Sequence, residues 1–220
     1  GSVEGWRFFD GEDESRVTIA HPVLSREIPK AFAAAARAVQ GMVFGERANA
    51  GARKKFAGRY LLNTLTNLAV LHRERSAVEL AGAFDEVPAL LVAAGPSLDR
   101  NVAVVSAAQE HAVIVAVDTA LRPLLHAGVR PDLVVSVDAQ PANARHLLGL
   151  PDGLGTFLAA ASSIDPAVFP AFQDRTFAFR VNDHAPWPWL GSIGLGRPIV
   201  RAWGSVLTSA LDLALTMGCN

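Results

Sequence analysis

The dominant pattern along the chain is a series of short, unbroken apolar runs, each stopped by a turn or a carboxylate. Ala89-Leu90-Leu91-Val92-Ala93-Ala94 ends at Gly95-Pro96, Val113-Ile114-Val115-Ala116-Val117 ends at Asp118, and Leu133-Val134-Val135-Ser136-Val137 ends at Asp138. Continuous β-branched runs of this length suit strands buried on both faces, as in a parallel sheet. Helix-like segments, Leu98–Glu110 and Thr119–Ala127, lie between them. Strand and helix therefore alternate at about 20-residue intervals, the spacing of crossover units. The pattern predicts an α/β fold, a Rossmann-like, doubly wound and mostly parallel sheet. Weaker strands are expected at Thr156–Ala161 and Thr176–Val181 and a short one at Pro198–Ala202. Ser205–Met217 reads as a helix, with Val206, Leu207, Ala210, Leu211, Ala214 and Leu215 apolar.

Residues 1–87 have no single period and read as a mainly helical N-terminal extension; residues 88–220 read as the Rossmann-like domain. Trp6, Phe8 and Phe9 precede the acidic Asp10–Glu14 stretch and a strand-like Val17-Thr18-Ile19. Pro29 opens an alanine-rich helix, Lys30–Gln40, which Gly41 is expected to end. A second helix is expected from about Lys54 to Leu71, with Phe56, Tyr60, Leu61, Thr64, Leu65 and Leu68 on one side. Asn63 and Asn67, one turn apart on it, are either exposed, bonded to loops, or buttresses of a site. Arg53, Lys54, Lys55 and Arg59 form a basic cluster, read as a solvated face or a contact for an acidic ligand.

Composition narrows the classes. The 220 residues amount to about one and a half domains. Half are apolar and 19% charged, enough to bury a core. A net charge of −1 argues against a nucleic-acid binder. Cys219 is the only cysteine, which excludes an internal disulfide and a multi-cysteine metal site. No apolar run nears the roughly 18 residues that span a bilayer, and no signal-peptide core is present, so a cytoplasmic location is expected.

In open parallel sheets ligands bind beyond the carboxyl ends of the strands. Gly95-Pro96-Ser97, Asp118-Thr119 and Asp138 fall at those ends. Gly95 allows close backbone approach, and Ser97 either caps the next helix or faces a ligand. The amides at that helix start form an anion receptor. The aspartates have the same two readings, since Asp also caps helices. The loop lacks the lysine of a Walker loop and the second glycine of the dinucleotide fingerprint. Lys30, Lys54 and Lys55 are the only lysines, so phosphate in the second part would be met by amides, arginines or a metal. Asp118 and Asp138 would repel phosphate unless Mg²⁺ lies between, or unless they address hydroxyls or amines instead. Gly204-Ser205, before the last helix, offers a second anion receptor. Ser162 and Ser163 follow one strand, and Asn182, Asp183 and His184 another; His184 is the one candidate for proton transfer. Trp187 and Trp189 flank Pro188, as a lid, a packing corner or a stacking surface.

Three segments together resemble one family: Val92-Ala93-Ala94-Gly95-Pro96-Ser97-Leu98-Asp99, Ala116-Val117-Asp118-Thr119-Ala120-Leu121-Arg122-Pro123-Leu124, and Gly128-Val129-Arg130-Pro131-Asp132-Leu133-Val134-Val135-Ser136-Val137-Asp138. Gly204-Ser205-Val206 and Met217-Gly218-Cys219-Asn220 agree with it, and the resemblance covers about residues 56–220. The family joins motility-associated factors (Maf proteins) with archaeal 6-hydroxymethylpterin diphosphokinase-like proteins. The Maf branch implies transfer of a nonulosonic, sialic-acid-like sugar from a CMP-sugar donor to Ser/Thr of flagellin or another protein acceptor. The Gly-Pro-Ser-Leu loop is also similar to the CMP-binding loop of a bacterial sialyltransferase family. By that analogy Gly95, Pro96 and Ser97 hold the nucleotide, with Asp118, Thr119, Asp138, Gly204 and Ser205 beside it. Those sialyltransferases carry asparagines where Asp118 and Asp138 stand, which leaves room for a metal on the two aspartates. The diphosphokinase branch implies Mg-ATP and a pterin alcohol. A non-catalytic nucleotide-fold scaffold is the third reading. The resemblance also implies a further strand and active-site segments, including the general base, after Asn220, so the domain is expected to be incomplete at its C-terminus.

Overall fold

The computed structural model describes residues 23–202 and 204–220, and in it the apolar runs become parallel strands. Two units are distinguished, Gly1–Lys55 and Phe56–Asn220. The described part of the first holds helix α1 (Leu24–Glu27) and the start of α2 (Pro29–Leu71). Trp6, Phe8, Phe9, the strand-like Val17-Thr18-Ile19, His21 and Trp203 lie outside the described residues.

Gly41 does not end a helix; it lies inside α2. An interior glycine costs only about 1 kcal/mol, and no proline follows it to stop the next turn.

The second unit contains a six-stranded, wholly parallel sheet in the order β1-β6-β5-β4-β3-β2. The strands are β1 (Arg75–Ser76), β2 (Ala89–Val92), β3 (Val113–Val117), β4 (Leu133–Ser136), β5 (Phe157–Ala161) and β6 (Thr176–Phe179). Ile114, Val115, Ala116, Val134 and Val135 are inaccessible to solvent, which explains why their runs are apolar without alternation. The short strand expected at Pro198–Ala202 is reduced to one parallel bridge, Arg180 to Ile199. Pro198 lacks an N–H to donate, and Ile199 is exposed.

Helices cover both faces of this Rossmann-like sheet. From β2 to β6 each strand is added on the same side of its predecessor, so right-handed crossovers carry the connections over one face. Accordingly Leu98 and Val105 of α3 (Pro96–Ala108) and Ala120 and Leu124 of α4 (Asp118–His126) cluster with Val92, Ile114 and Ala116. The remaining short helices are α5 (Pro141–Ala144) and α6 (Trp187–Ser192). Ala210, Leu213, Ala214 and Met217, on and just after α7 (Val206–Thr216), cluster with Val113, Val115, Leu133 and Val135. These strand residues alternate with Ile114, Ala116 and Val134, so α7 covers the opposite face.

The direction of α7 is set by hydrogen bonds at its end. The amides of Gly82, Phe84 and Glu86 donate to the carbonyls of Thr216, Met217 and Gly218 at 3.0, 2.9 and 3.0 Å. That stretch leads directly into β2, so α7 ends at the amino edge of the sheet and begins at the carboxyl edge. Val206 and Leu207 accordingly pack with the cluster that contains Val92 and Val117.

Candidate functional site

The first turn of α3 lies at the carboxyl end of β2. Gly95 is its N-cap, in an extended conformation, with Pro96 in the first turn. The Gly95 amide donates to Ala93 at 2.9 Å and the Leu98 amide to Gly95 at 2.8 Å, while Pro96 has no N–H. This leaves Ser97, whose amide has no acceptor within the first turn. Its hydroxyl caps nothing: the N-cap position carries no side-chain hydrogen bond, and Ser97 is exposed. Ser97 thus presents one N–H and one O–H outward. The capping bond expected of Ser97 is therefore not made. Its hydroxyl makes no hydrogen bond to Asp118 or Asp138.

Asp118 opens α4 at the end of β3 and is only 2% exposed. Its Oδ2 accepts the hydroxyl of Ser136 at 2.9 Å, and its Oδ1 accepts the amide of Thr119 at 2.8 Å. Burial pushes the Asp118 carboxyl above its ordinary value; the two hydrogen bonds and the nearby His146 oppose that rise, and Asp138 adds to it. The structure therefore brings Asp118, Ser136, His146 and Asp138 into one electrostatic neighbourhood. Asp138 is half-buried, and its Oδ1 accepts the Gln140 amide at 2.8 Å in the turn before α5.

Two asparagines brace this rim from α2. Asn63 Nδ2 donates to the carbonyls of Ala139 and Ser163 at 3.0 and 2.9 Å. Asn67 Nδ2 donates to those of Ser162 and Ile164 at 2.9 and 3.0 Å. The loops after β4 and β5 are thus tied to one helix, and the loop-bonding and buttressing readings of these residues coincide. The expected apolar side of this helix is shifted: Leu61 and Leu65 are exposed, whereas Asn63, Thr64 and Asn67 are buried.

α7 also begins at this carboxyl edge, its first residues packed with the cluster that holds Val92 and Val117. Gly204 has φ +90 and Ser205 caps α7, its Oγ accepting the Leu207 amide at 3.2 Å. Ser162 is buried and its hydroxyl donates to the Phe179 carbonyl, a structural bond. His184 is exposed beyond β6, three strands from β3, and its amide is held by Asn182 Oδ1 at 3.1 Å. No contact joins it to the Asp118 group. Asp183 pairs with Arg180, whose guanidinium lies 5.8 Å over the Trp187 ring. Trp187 is buried and Trp189 exposed, so the first is a packing corner.

Sequence reasoning missed Ser136 and His146. Ser136 had a signal, a hydroxyl inside an otherwise apolar run; His146 had none, since the fold alone brings it to Asp118. The geometry also bears on the expected metal pair. Asp118 is buried with each oxygen accepting one protein donor, and Asp138 has one oxygen accepting from the Gln140 amide. No cluster of three or more metal-ligating side chains occurs among the described residues. Nor is any described helix long and apolar enough to cross a membrane.

Similarity to known proteins agrees with this architecture. A solved Maf glycosyltransferase from Magnetospirillum magneticum AMB-1 superposes with a TM-score of 0.52 at 24% identity, over 64% of this chain. The match spans 22% of that protein's length, and it establishes the fold. No curated protein matches the chain. The family described as 6-hydroxymethylpterin diphosphokinase MptE-like matches residues 62–220, the whole of the sheet with its bracing asparagines. The chain belongs to this 6-hydroxymethylpterin diphosphokinase MptE-like family.

Proposed function

We propose that the carboxyl edge of the sheet binds the nucleotide of a CMP-sugar donor, and that the chain is the core of a Maf-type glycosyltransferase. The transferred group is a nonulosonic sugar and the acceptor a Ser/Thr hydroxyl of flagellin or a related protein. The observation that carries the reading is Ser97: its amide and hydroxyl are both unengaged at the start of α3, at the strand-end position where such folds receive ligands. The likeness to the Maf glycosyltransferase supports a glycosyltransferase reading.

Each residue then has a bounded task. Ser97 donates to a phosphate oxygen. Asp138, with one oxygen not held by the protein, accepts from a ribose hydroxyl or a base amine. Asp118 orders Ser136 and the turn into α4 from below. Ser136 is buried away from any substrate and serves to hold Asp118. Stabilisation of the departing CMP would rest on positioned donors.

The family description favours a second reading, Mg-ATP-dependent pyrophosphate transfer to a pterin alcohol. Calorimetry separates the two. CMP is expected to bind, and Ser97→Ala to weaken it by about tenfold, equivalent to one charge-assisted hydrogen bond. Tight Mg-ATP binding with none for CMP overturns the lead. A scaffold without turnover would be indicated by CMP binding without any product.

A further inference from the structure

At the edge of the sheet opposite the nucleotide site, the amino ends of the strands border a cavity of about 480 Å³. Its floor is formed by Val113, Leu133 and Phe157, the first residues of β3, β4 and β5, with Phe177 of β6. Strand register aligns Leu133 with Phe157 and Ala159 with Phe177, so the period of two turns these side chains to one face. Leu80, Ala83, Phe84 and Met217 form the other wall. The volume lies within the usual range for small-molecule sites, and the apolar interior is ringed by a few charged groups.

Those charged groups are not equivalent. The two carboxylates are each anchored to the backbone: Glu79 Oε1 accepts the Ser76 amide at 2.9 Å, and Asp132 Oδ2 accepts the Ile114 amide at 2.8 Å. Neither guanidinium makes a salt bridge among the described residues, although Arg75 attracts the neighbouring Glu74 carboxylate electrostatically. Arg75 lies 5.5 Å over the Phe177 ring, and Phe177 in turn lies 5.7 Å from Phe157 at a 43° tilt. Arg130 is fixed only at its backbone, where its amide donates to Gln109 Oε1 at 2.7 Å, and its side chain is exposed. An exposed arginine over an aromatic floor presents a planar fork of donors suited to a carboxylate, with an apolar chamber beneath for a ring system.

We propose that this cavity is a second binding site, distinct from the nucleotide site, for an aromatic carboxylate: a fused-ring body inserted between Phe157, Phe177 and Leu80, with its carboxylate held by Arg130 and Arg75. The proposal does not depend on the identity of the nucleotide.

The test uses 1-naphthylacetate as the probe, with 1-naphthaleneethanol as the neutral analogue and 1-naphthylmethylamine as the cationic one. Binding is followed by amide shift mapping on the ¹⁵N-labelled chain. The expected result is saturable binding of the acid, with shifts at Gly155, Thr156 and Leu133 and none at Ser97 or Asp118. The alcohol and the amine should bind about tenfold more weakly. Arg130→Ala, at an exposed position, should weaken the acid by a similar factor and leave the alcohol unchanged. Ala83→Trp should abolish all three by filling the chamber. If the amine binds as tightly as the acid, the anchored carboxylates dominate and the proposal fails. It fails equally if Arg130→Ala has no effect, if the shifts map to the carboxyl edge, or if the acid shows no saturation below about 5 mM.

Discussion

Asn67 offers the sharpest perturbation of the proposed site's foundations. It is 2% exposed, and both hydrogens of its side-chain amide are donated, to Ser162 O at 2.9 Å and Ile164 O at 3.0 Å. Truncation in Asn67→Ala removes two hydrogen bonds whose net worth is about 0.5–1.5 kcal/mol each. It also strands two carbonyls, at about 1–3 kcal/mol for each one that water fails to reach. A loss of about 2–4 kcal/mol follows, a large share of the 5–15 kcal/mol typical of a domain. Urea denaturation, read as midpoint times slope, measures it directly. Asn67→Asp sharpens the test. An ionised carboxylate there would face two carbonyl oxygens and donate nothing, so its folded pKa must rise above the unfolded value. That variant should be the less stable of the two at neutral pH and recover as pH falls below its raised pKa, where a protonated carboxyl donates again. A cost below about 0.5 kcal/mol for Asn67→Ala would refute the brace, as would an Asp variant as stable as wild type at pH 7.

Three further outcomes follow from the packing. Because burial raises the Asp118 pKa, the folded chain holds that proton more tightly than the unfolded one; stability should fall as pH rises from about 4 through the raised value and then level off. Asp118→Asn should flatten that slope in urea titrations across pH 4–8, and an unchanged slope would disprove the assignment. Gly218 has φ +84, and an added Cβ would lie 3.0 Å from Asp85 Cα and 2.9 Å from its carboxylate. Gly218→Ala should therefore cost at least about 2 kcal/mol by thermal melting, combining left-handed strain with a backbone clash. Ser209 is inaccessible to solvent and its hydroxyl has no partner, so Ser209→Ala should cost nothing and can add up to about 1 kcal/mol of stability.

β3 to β6 were legible because they are buried on both faces, and burial on both faces removes the polar positions that would make a strand ambiguous. β2 through β6 all lie within the apolar or weaker runs read from the sequence. β1 was not legible. Arg75-Ser76 has no apolar pattern, and it is a strand only because Phe177 and Ala178 of β6 offer it a parallel partner. The strand-end residues were legible as positions and not as roles: Ser97 and Ser205 both precede or open a helix, yet only Ser205 caps one. Pro96 explains the difference. It fills the first helical position, so the N-cap falls on Gly95, which has no side chain to donate or accept.

The face that α2 turns inward has a physical cause. Apolar periodicity assumes that a helix meets other apolar groups, and on that rule Leu61 and Leu65 would face inward. The carboxyl edge of a parallel sheet is different, because each strand ends in carbonyls and turns whose amides are already committed. Ala139, Ser162, Ser163 and Ile164 present four such oxygens to α2, and no leucine can satisfy them. A buried acceptor without a donor costs more than an exposed leucine does, so the helix turns its asparagines inward and leaves Leu61 and Leu65 in solvent. A pair of amides one turn apart near the start of such a sheet is therefore a signal in its own right. Its register marks the loops that must be held still for the strand-end residues to act.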